Sequence, residues 1–267
     1  TTLVVPGAAR AKLNQGLAPK DDNRCIQMDS VAMGSVVNGV AAYFNPTNAI
    51  GKQYTEGLVA RTSMANWYEN ERILSVTNSS DVTGSTNASA LVTDGGNTLA
   101  MFTDVVSPAE GSVFTVTGIF ACHPETKAAY PHLQQYVVAV TSAGAAITIS
   151  PRTFLTGPKK NVSSSTGADL TPTSFNSKVL TFVGAASTTY PQQLMYHKEA
   201  FQFVTGDLPI MDSAQKCVRK MEEKLSMRVW MDGDIRNDEL LMRIDILHGF
   251  AALRPEWACR LIGAAAA

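Results

Sequence analysis

Ser112-Val113-Phe114-Thr115-Val116-Thr117-Gly118-Ile119 sets apolar residues among threonines and carries a glycine near its end. Successive side chains of a strand point to opposite faces, so this pattern predicts a half-buried strand. Three further runs read the same way: Gln134-Gln135-Tyr136-Val137-Val138-Ala139-Val140, Ala146-Ile147-Thr148-Ile149-Ser150 and Lys178-Val179-Leu180-Thr181-Phe182-Val183. Each is short, rich in β-branched or aromatic residues, and fenced by Gly, Pro, Ser or Asn. Around them the charge is thin. Residues 78–190 hold 11 Asp, Glu, Lys and Arg in 113 positions, against 34 in the other 154. That contrast predicts a compact β domain over 78–187, inserted into a more charged host made of 1–77 and 188–267.

A chain of 267 residues can build one large domain or two modest ones with a sizeable core. The formal net charge of −1 gives no overall field that attracts or excludes nucleic acid. Cys25, Cys122, Cys217 and Cys259 lie far apart without a C-x-x-C pair. This spacing suggests reduced thiols in a cytosolic setting rather than a disulfide framework. No apolar run approaches the roughly 20 residues needed to cross a bilayer. Thr1 opens the chain with neither an initiator Met nor a signal-peptide pattern.

In chain order, residues 1–27 show no clear periodicity, and Lys20-Asp21-Asp22-Asn23-Arg24 reads as an exposed loop. A helix follows. Asp29 or Ser30 can cap it, and Met33, Val36, Val37, Val40 and Phe44 fall on one face. Asn45-Pro46 stops it. Strands are expected over 57–62 and 73–77, with Trp67-Tyr68 between them and Asn78-Ser79-Ser80 at the entrance to the insert. Beyond the insert, 196–204 reads as strand and 212–225 as a solvated charged segment. Residues 227–235 and 240–250 read as a long antiparallel hairpin turned at Asn237-Asp238. Leu240, Met242, Ile244 and Ile246 alternate with Leu241, Arg243, Asp245 and Leu247, which predicts one buried face carrying the first set. Pro255 precedes a last apolar piece at 257–262, and 264–267 reads as a tail.

The search for chemistry returns no catalytic, cofactor-binding or metal-ligating residue. Cys122-His123 with His132 has the donor types of a metal site but lacks a fourth ligand. His197 and His248 stand alone. There is no G-x-S-x-G elbow, P-loop or G-x-G-x-x-G run. Glu222-Glu223 and Asp238-Glu239 sit in charged stretches, where a solvated face is the better reading. Lys159-Lys160 could touch phosphate, but two lysines do not make a nucleic-acid surface. Trp67, Trp230 and Trp257 read as core or interface residues rather than a ligand cage.

Whole segments carry a resemblance. They include Leu17-Ala18-Pro19-Lys20-Asp21, Tyr43-Phe44-Asn45-Pro46, Gln53-Tyr54-Thr55-Glu56-Gly57 and Asn66-Trp67-Tyr68-Glu69-Asn70. Inside the insert, the segments beginning at Gly111, His123, Leu133 and Gly157 belong to the same series. Tyr190-Pro191-Gln192-Gln193-Leu194, His197-Lys198-Glu199-Ala200-Phe201, Arg243-Ile244-Asp245-Ile246-Leu247-His248-Gly249-Phe250-Ala251 and Leu253-Arg254-Pro255-Glu256-Trp257-Ala258 complete it. In this order the chain resembles the major capsid (coat) proteins of P22-type tailed bacteriophages, which have the HK97-like capsid fold. The resemblance implies an α+β protein, with 1–77 and 188–267 forming the apical part of a capsid subunit plus some of its peripheral part. Residues 78–187 would be the inserted antiparallel β-barrel. The family's N-terminal arm, extended loop and long spine helix have no counterpart here, which implies missing upstream sequence or an incomplete form.

By that resemblance the chain is a structural, non-enzymatic subunit that self-assembles into hexamers and pentamers of an icosahedral head. It would be made in the host bacterial cytoplasm and end in the virion. Its implied partners are further copies of itself, scaffolding and portal proteins, and packaged double-stranded DNA held without sequence-specific contacts, with no membrane. The competing reading is a β-barrel module that binds carbohydrate or single-stranded nucleic acid, which would display several aromatics beside a basic groove. An enzyme built on Cys122, His123 or the Ser/Thr loops is the third.

Overall fold

A computed structural model describes residues 4–40, 64–80, 83–86, 92–100, 108–140, 146–212 and 215–262. The chain divides into two compact units, one comprising residues 1–196 with 256–267 and the other residues 197–255. The described residues are mostly sheet. Sixteen strands accompany two α-helices, a balance well to the sheet side of the α+β expectation.

The first unit opens with α1 (Val4–Gln15), where no periodicity was expected. Its buried stripe is Pro6, Ala9 and Leu13, so small residues supply a helical face that an apolar count does not register. The helix ends in a Schellman turn: Ala18 N–H reaches Leu13 O at 3.0 Å and Leu17 N–H reaches Asn14 O at 3.1 Å. Leu17 takes the left-handed conformation at φ 60. Gly16 is needed beside it for another reason. A Cβ there would lie 2.4 Å from Glu256 O.

The expected loop at 20–24 ends in strand β1 (Arg24–Met28), and Arg24 is fully buried rather than exposed. Its guanidinium is usable inside because two carbonyls receive it, Pro19 O at 2.8 Å and Ala18 O at 2.7 Å. The next helix, α2 (Ser30–Val40), is capped by Asp29, whose Oδ1 accepts from Ala32 N–H at 3.2 Å. Met33 and Val36 are buried as expected. Phe44, Asn45-Pro46, the strand expected over 57–62 and the tail at 264–267 lie outside the described residues. Trp67-Tyr68 falls within strand β2 (Asn66–Glu69), parallel to β1, rather than between strands. The sheet runs β16 (Ala258–Ile262), β11 (Thr189–His197), β1, β2, with β3 (Ser75–Thr77) also paired to β11. Ile26, Met28, Trp67, Met195 and Leu261 pack under α1 and α2.

The other sheet of this unit has seven strands. Its path is β4 (Thr83–Ser85), β10 (Val179–Phe182), β6 (Val113–Cys122), β7 (Ala129–Val140), β8 (Ala146–Thr153) and β5 (Gly96–Ala100), with β9 (Val162–Ser163) paired to β6. The four runs expected as strands are all strands. Gly118, at φ 82, does more than end one of them. Phe114 and Val116 are buried before it, Ile119 and Ala121 after it, so the buried face switches from even to odd positions across the glycine. The β6–β7 register shifts over the same interval. A left-handed glycine forms such a bulge at low steric cost. Phe114, Tyr136, Phe175, Leu180 and Phe182 lie in one apolar cluster, with the Phe114 ring 5.7 Å from Tyr136 and 5.3 Å from Phe182.

Two chain segments enter and leave this sheet side by side. Asn78 Nδ2 donates to Val183 O at 3.0 Å and Ala185 O at 3.1 Å, and Asn78 N–H donates to Thr188 O. Thr77 and Thr189 hydroxyls meet at 2.8 Å.

The second unit is one antiparallel sheet, β12 (Phe201–Gly206), β15 (Glu239–Ala252), β14 (Leu225–Asp234), β13 (Lys216–Glu222). The expected hairpin is β14–β15, and its turn includes Asp238 at φ 51. The charged segment expected only to be solvated is solvated and also strand: β13 lies at the sheet edge, where lysines discourage pairing with a foreign strand.

Candidate functional site

The residues singled out for chemistry do not converge. Cys122 is buried, while His123 Nδ1 accepts from Glu125 N–H at 3.1 Å and Thr126 N–H at 3.2 Å, fastening a turn. His132 instead stacks on Tyr130, with ring centroids 5.3 Å apart. Among the described residues no three His, Cys, Asp or Glu side chains gather as a metal site would require. His197 is fully buried and caps a short 3-10 turn through Glu199 N–H, and His248 stacks on Phe203 at 6.0 Å. Glu222 pairs with Lys220 at 2.8 Å on open surface, while Glu223 and Asp238 sit in turns.

The two lysines offered for phosphate separate in role. Lys160 is only 6% exposed and is spent on Asp169 at 2.5 Å and Gly167 O at 3.0 Å. Lys159 lies over the Phe154 ring at 5.9 Å. Of the insert's aromatics, Phe114, Tyr136, Phe175 and Phe182 are core. They are not a platform for stacking bases or sugars.

The surface that stands out is the four-stranded sheet, and it corrects the expected burial. Cross-strand partners in an antiparallel pair share a face. The rungs Val218–Val229–Ile244, Met231–Met242 and Met227–Ile246 therefore form one apolar face, flanked by Lys216 and Lys220. This is the face expected to be buried. It is open: Ile244 is 58% exposed, Met242 63% and Leu240 63%. Phe203 and Phe250 extend it across β12 and β15.

The opposite face is polar along its middle and is covered at Arg228 and Asp245, while Leu241, Arg243 and Leu247 on the same face stay exposed. Its rungs are Arg219–Arg228–Asp245 and Cys217–Trp230–Arg243. Arg228 is 5% exposed and holds Asp245 at 2.5 Å, while its Nη1 donates to Pro209 O at 2.7 Å. Arg219 Nη1 reaches Leu208 O at 3.4 Å and Asp207 at 3.6 Å. The segment after β12 thus presents carbonyls and a carboxylate to guanidinium groups. Such a segment suits arginines, and it is Arg228 with its partner Asp245 that lies beneath it. Arg228 and Arg243 also lie over the Trp230 ring, at 5.5 and 5.4 Å, where the ring's negative face attracts cations. The Arg243 hydrogen bonds, then those of Arg228, hold the Asp245 carboxyl below its ordinary value, and Asp245 raises Arg243 in return.

Sequence reading placed Arg243 and Asp245 on the face opposite Ile244 and gave Trp230 only as a core or interface residue, and it did not single out Arg228. The alternation of Arg228 and Trp230 with Met227, Val229 and Met231 was the available signal. Its meaning depended on the register to β15, which no spacing within one strand reveals.

No protein with a curated description matches the chain. One family model does, described as P22 coat protein - gene protein 5, and it covers residues 76–263. That span takes in the seven-stranded sheet, β11, the whole four-stranded sheet and β16. A structural role agrees with the open apolar face of the four-stranded sheet, the most distinctive surface among the described residues. The chain belongs to the P22 coat protein family, the coat proteins of P22-type phages.

Proposed function

We propose that this chain is a self-assembling subunit of an icosahedral phage head, in hexamers and pentamers, enclosing double-stranded DNA in the virion. Scaffolding and portal proteins would be its assembly partners. In this reading the HK97-like host is formed by 1–77 and 188–267, and 78–187 is an inserted antiparallel β-barrel domain. The observation that carries the reading is the family match across 76–263. The paired crossing at Asn78, Val183, Ala185 and Thr188 supports the insertion, since both ends of 78–187 meet there. The open row along Leu240, Met242, Ile244 and Ile246 supports a subunit with surface to cover, because contiguous exposed apolar faces mark interaction sites. Many modest interfaces in a closed shell add up through multivalency.

Electron microscopy of the expressed chain tests the assembly. The expected result is shells, rings or polyheads. Dispersed single subunits at every protein concentration and ionic strength would defeat the proposal.

A further inference from the structure

The end of α1 is held from two sides by groups remote in sequence. Trp257 Nε1 donates to Gly16 O at 3.0 Å, and Tyr130 Oη donates to Gln15 O at 3.4 Å. These carbonyls belong to the helix's last turn and its exit, where no intrahelical donor remains for them. Tyr130 comes from β7 of the seven-stranded sheet, so its hydroxyl ties that sheet to the helix. Tyr130 and His132 are two apart on one strand and share a face. Their rings are stacked at 20°, and the His123 ring lies 5.9 Å from Tyr130.

We propose that the Tyr130–His132 pair is an acid-released latch between the seven-stranded sheet and the last turn of α1. The stacked geometry passes any displacement of the His132 ring directly to the ring whose hydroxyl makes the tie. Lys12 stands one turn before Gln15 on the same helix, so a second positive charge on His132 would face a cation. The titratable and charged groups around the latch are Lys12 of α1, Tyr130 on the same strand, and Cys122 and His123 at the end of β6. Cys259 of β16 lies behind Lys12, and Glu256 has its carbonyl against Gly16. Burial first, and Lys12 second, push His132 below its ordinary value of 6.5; burial also lowers Lys12. A histidine depressed in the folded state is held in its neutral form there. Its contribution is complete above about pH 6.5 and is lost as the pH falls through the lower folded value.

Hydrogen exchange of the full chain, corrected for intrinsic rates, tests this at residues 12–18 and 129–133. Opening should rise about tenfold for each pH unit between about pH 6.5 and the lower folded midpoint, and level off below it. His132→Gln, which stays neutral, should remove that slope. Tyr130→Phe should open the same residues at neutral pH. Nuclear magnetic resonance titration of His132 in the unaltered chain supplies the second check, and its midpoint should coincide with the pH at which opening levels off. A wild-type profile flat from pH 7.5 to 5, a slope that survives in His132→Gln, or a levelling-off more than one unit from the His132 midpoint would each overturn the latch.

Discussion

The two antiparallel sheets of this chain follow the same period-two rule and dispose of their apolar rows in opposite ways. In the seven-stranded sheet, Phe114, Val116, Val138 and Ile149 point into a cluster that the chain itself completes with Val162 of β9 and with Leu155, Leu170 and Phe175 from connecting segments. In the four-stranded sheet, Leu240, Met242, Ile244 and Ile246 form as regular a row, yet what the chain covers is the middle of the other face, setting the carbonyls of Leu208 and Pro209 against arginines. Alternation therefore reports which residues share a face. Which face is covered depends on the segment that returns over it, and here that segment offers hydrogen-bond acceptors.

Mutations sharpen this contrast. The largest loss is expected for Phe114→Ala, because a fully buried ring in contact with Tyr136 and Phe182 leaves a cavity. Denaturant unfolding should show a cost of about 3–5 kcal/mol. Asn78→Ala should cost about 1–2 kcal/mol, since it removes two hydrogen bonds from a nearly buried amide. Faster hydrogen exchange at residues 183–190 would locate the effect at the crossing. Ile244→Asp should lower the stability of the dispersed chain by less than about 0.5 kcal/mol, the range of surface substitutions, because this side chain is 58% exposed. A cost of several kcal/mol at Ile244 would mean that the apolar row is buried after all.

The polar face adds a dependence on acid. Arg243, then Arg228, hold the Asp245 carboxyl below its ordinary value of 3.8. Stability from this network is present above that value and is lost as the pH falls through the lower folded one. Asp245→Asn should remove this part of the acid dependence, as followed by Trp230 fluorescence. An unchanged acid transition would show that the network contributes nothing to it.

The sequence was most readable where local pattern and final burial coincide. The four threonine- and valine-rich runs became β6, β7, β8 and β10, and Asp29 capped α2 as its short side chain suggested. Helix α1 escaped notice because Pro6 and Ala9 make most of its buried stripe. Arg24 read as solvent-exposed because the carbonyls that receive it, at Ala18 and Pro19, become visible only once α1 has turned. Strand β13 hid behind its charges, although an edge strand tolerates lysines well. The candidate surface was half legible. The row at 240–246 was found on one face with the wrong side buried, and Arg228, Trp230 and Tyr130 acquired their roles only through partners on other strands or elements.

Methionine oxidation tests the difference between the two kinds of apolar surface most directly, read residue by residue in the dispersed chain under native conditions. Met242 is 63% exposed on the open row, whereas Met195, Met28 and Met33 lie in the packed interior of the first unit at 0%, 0% and 1%. The account predicts rapid conversion of Met242 to the sulfoxide while those three remain intact as long as the chain stays folded. Protection of Met242 equal to that of Met195 would contradict it.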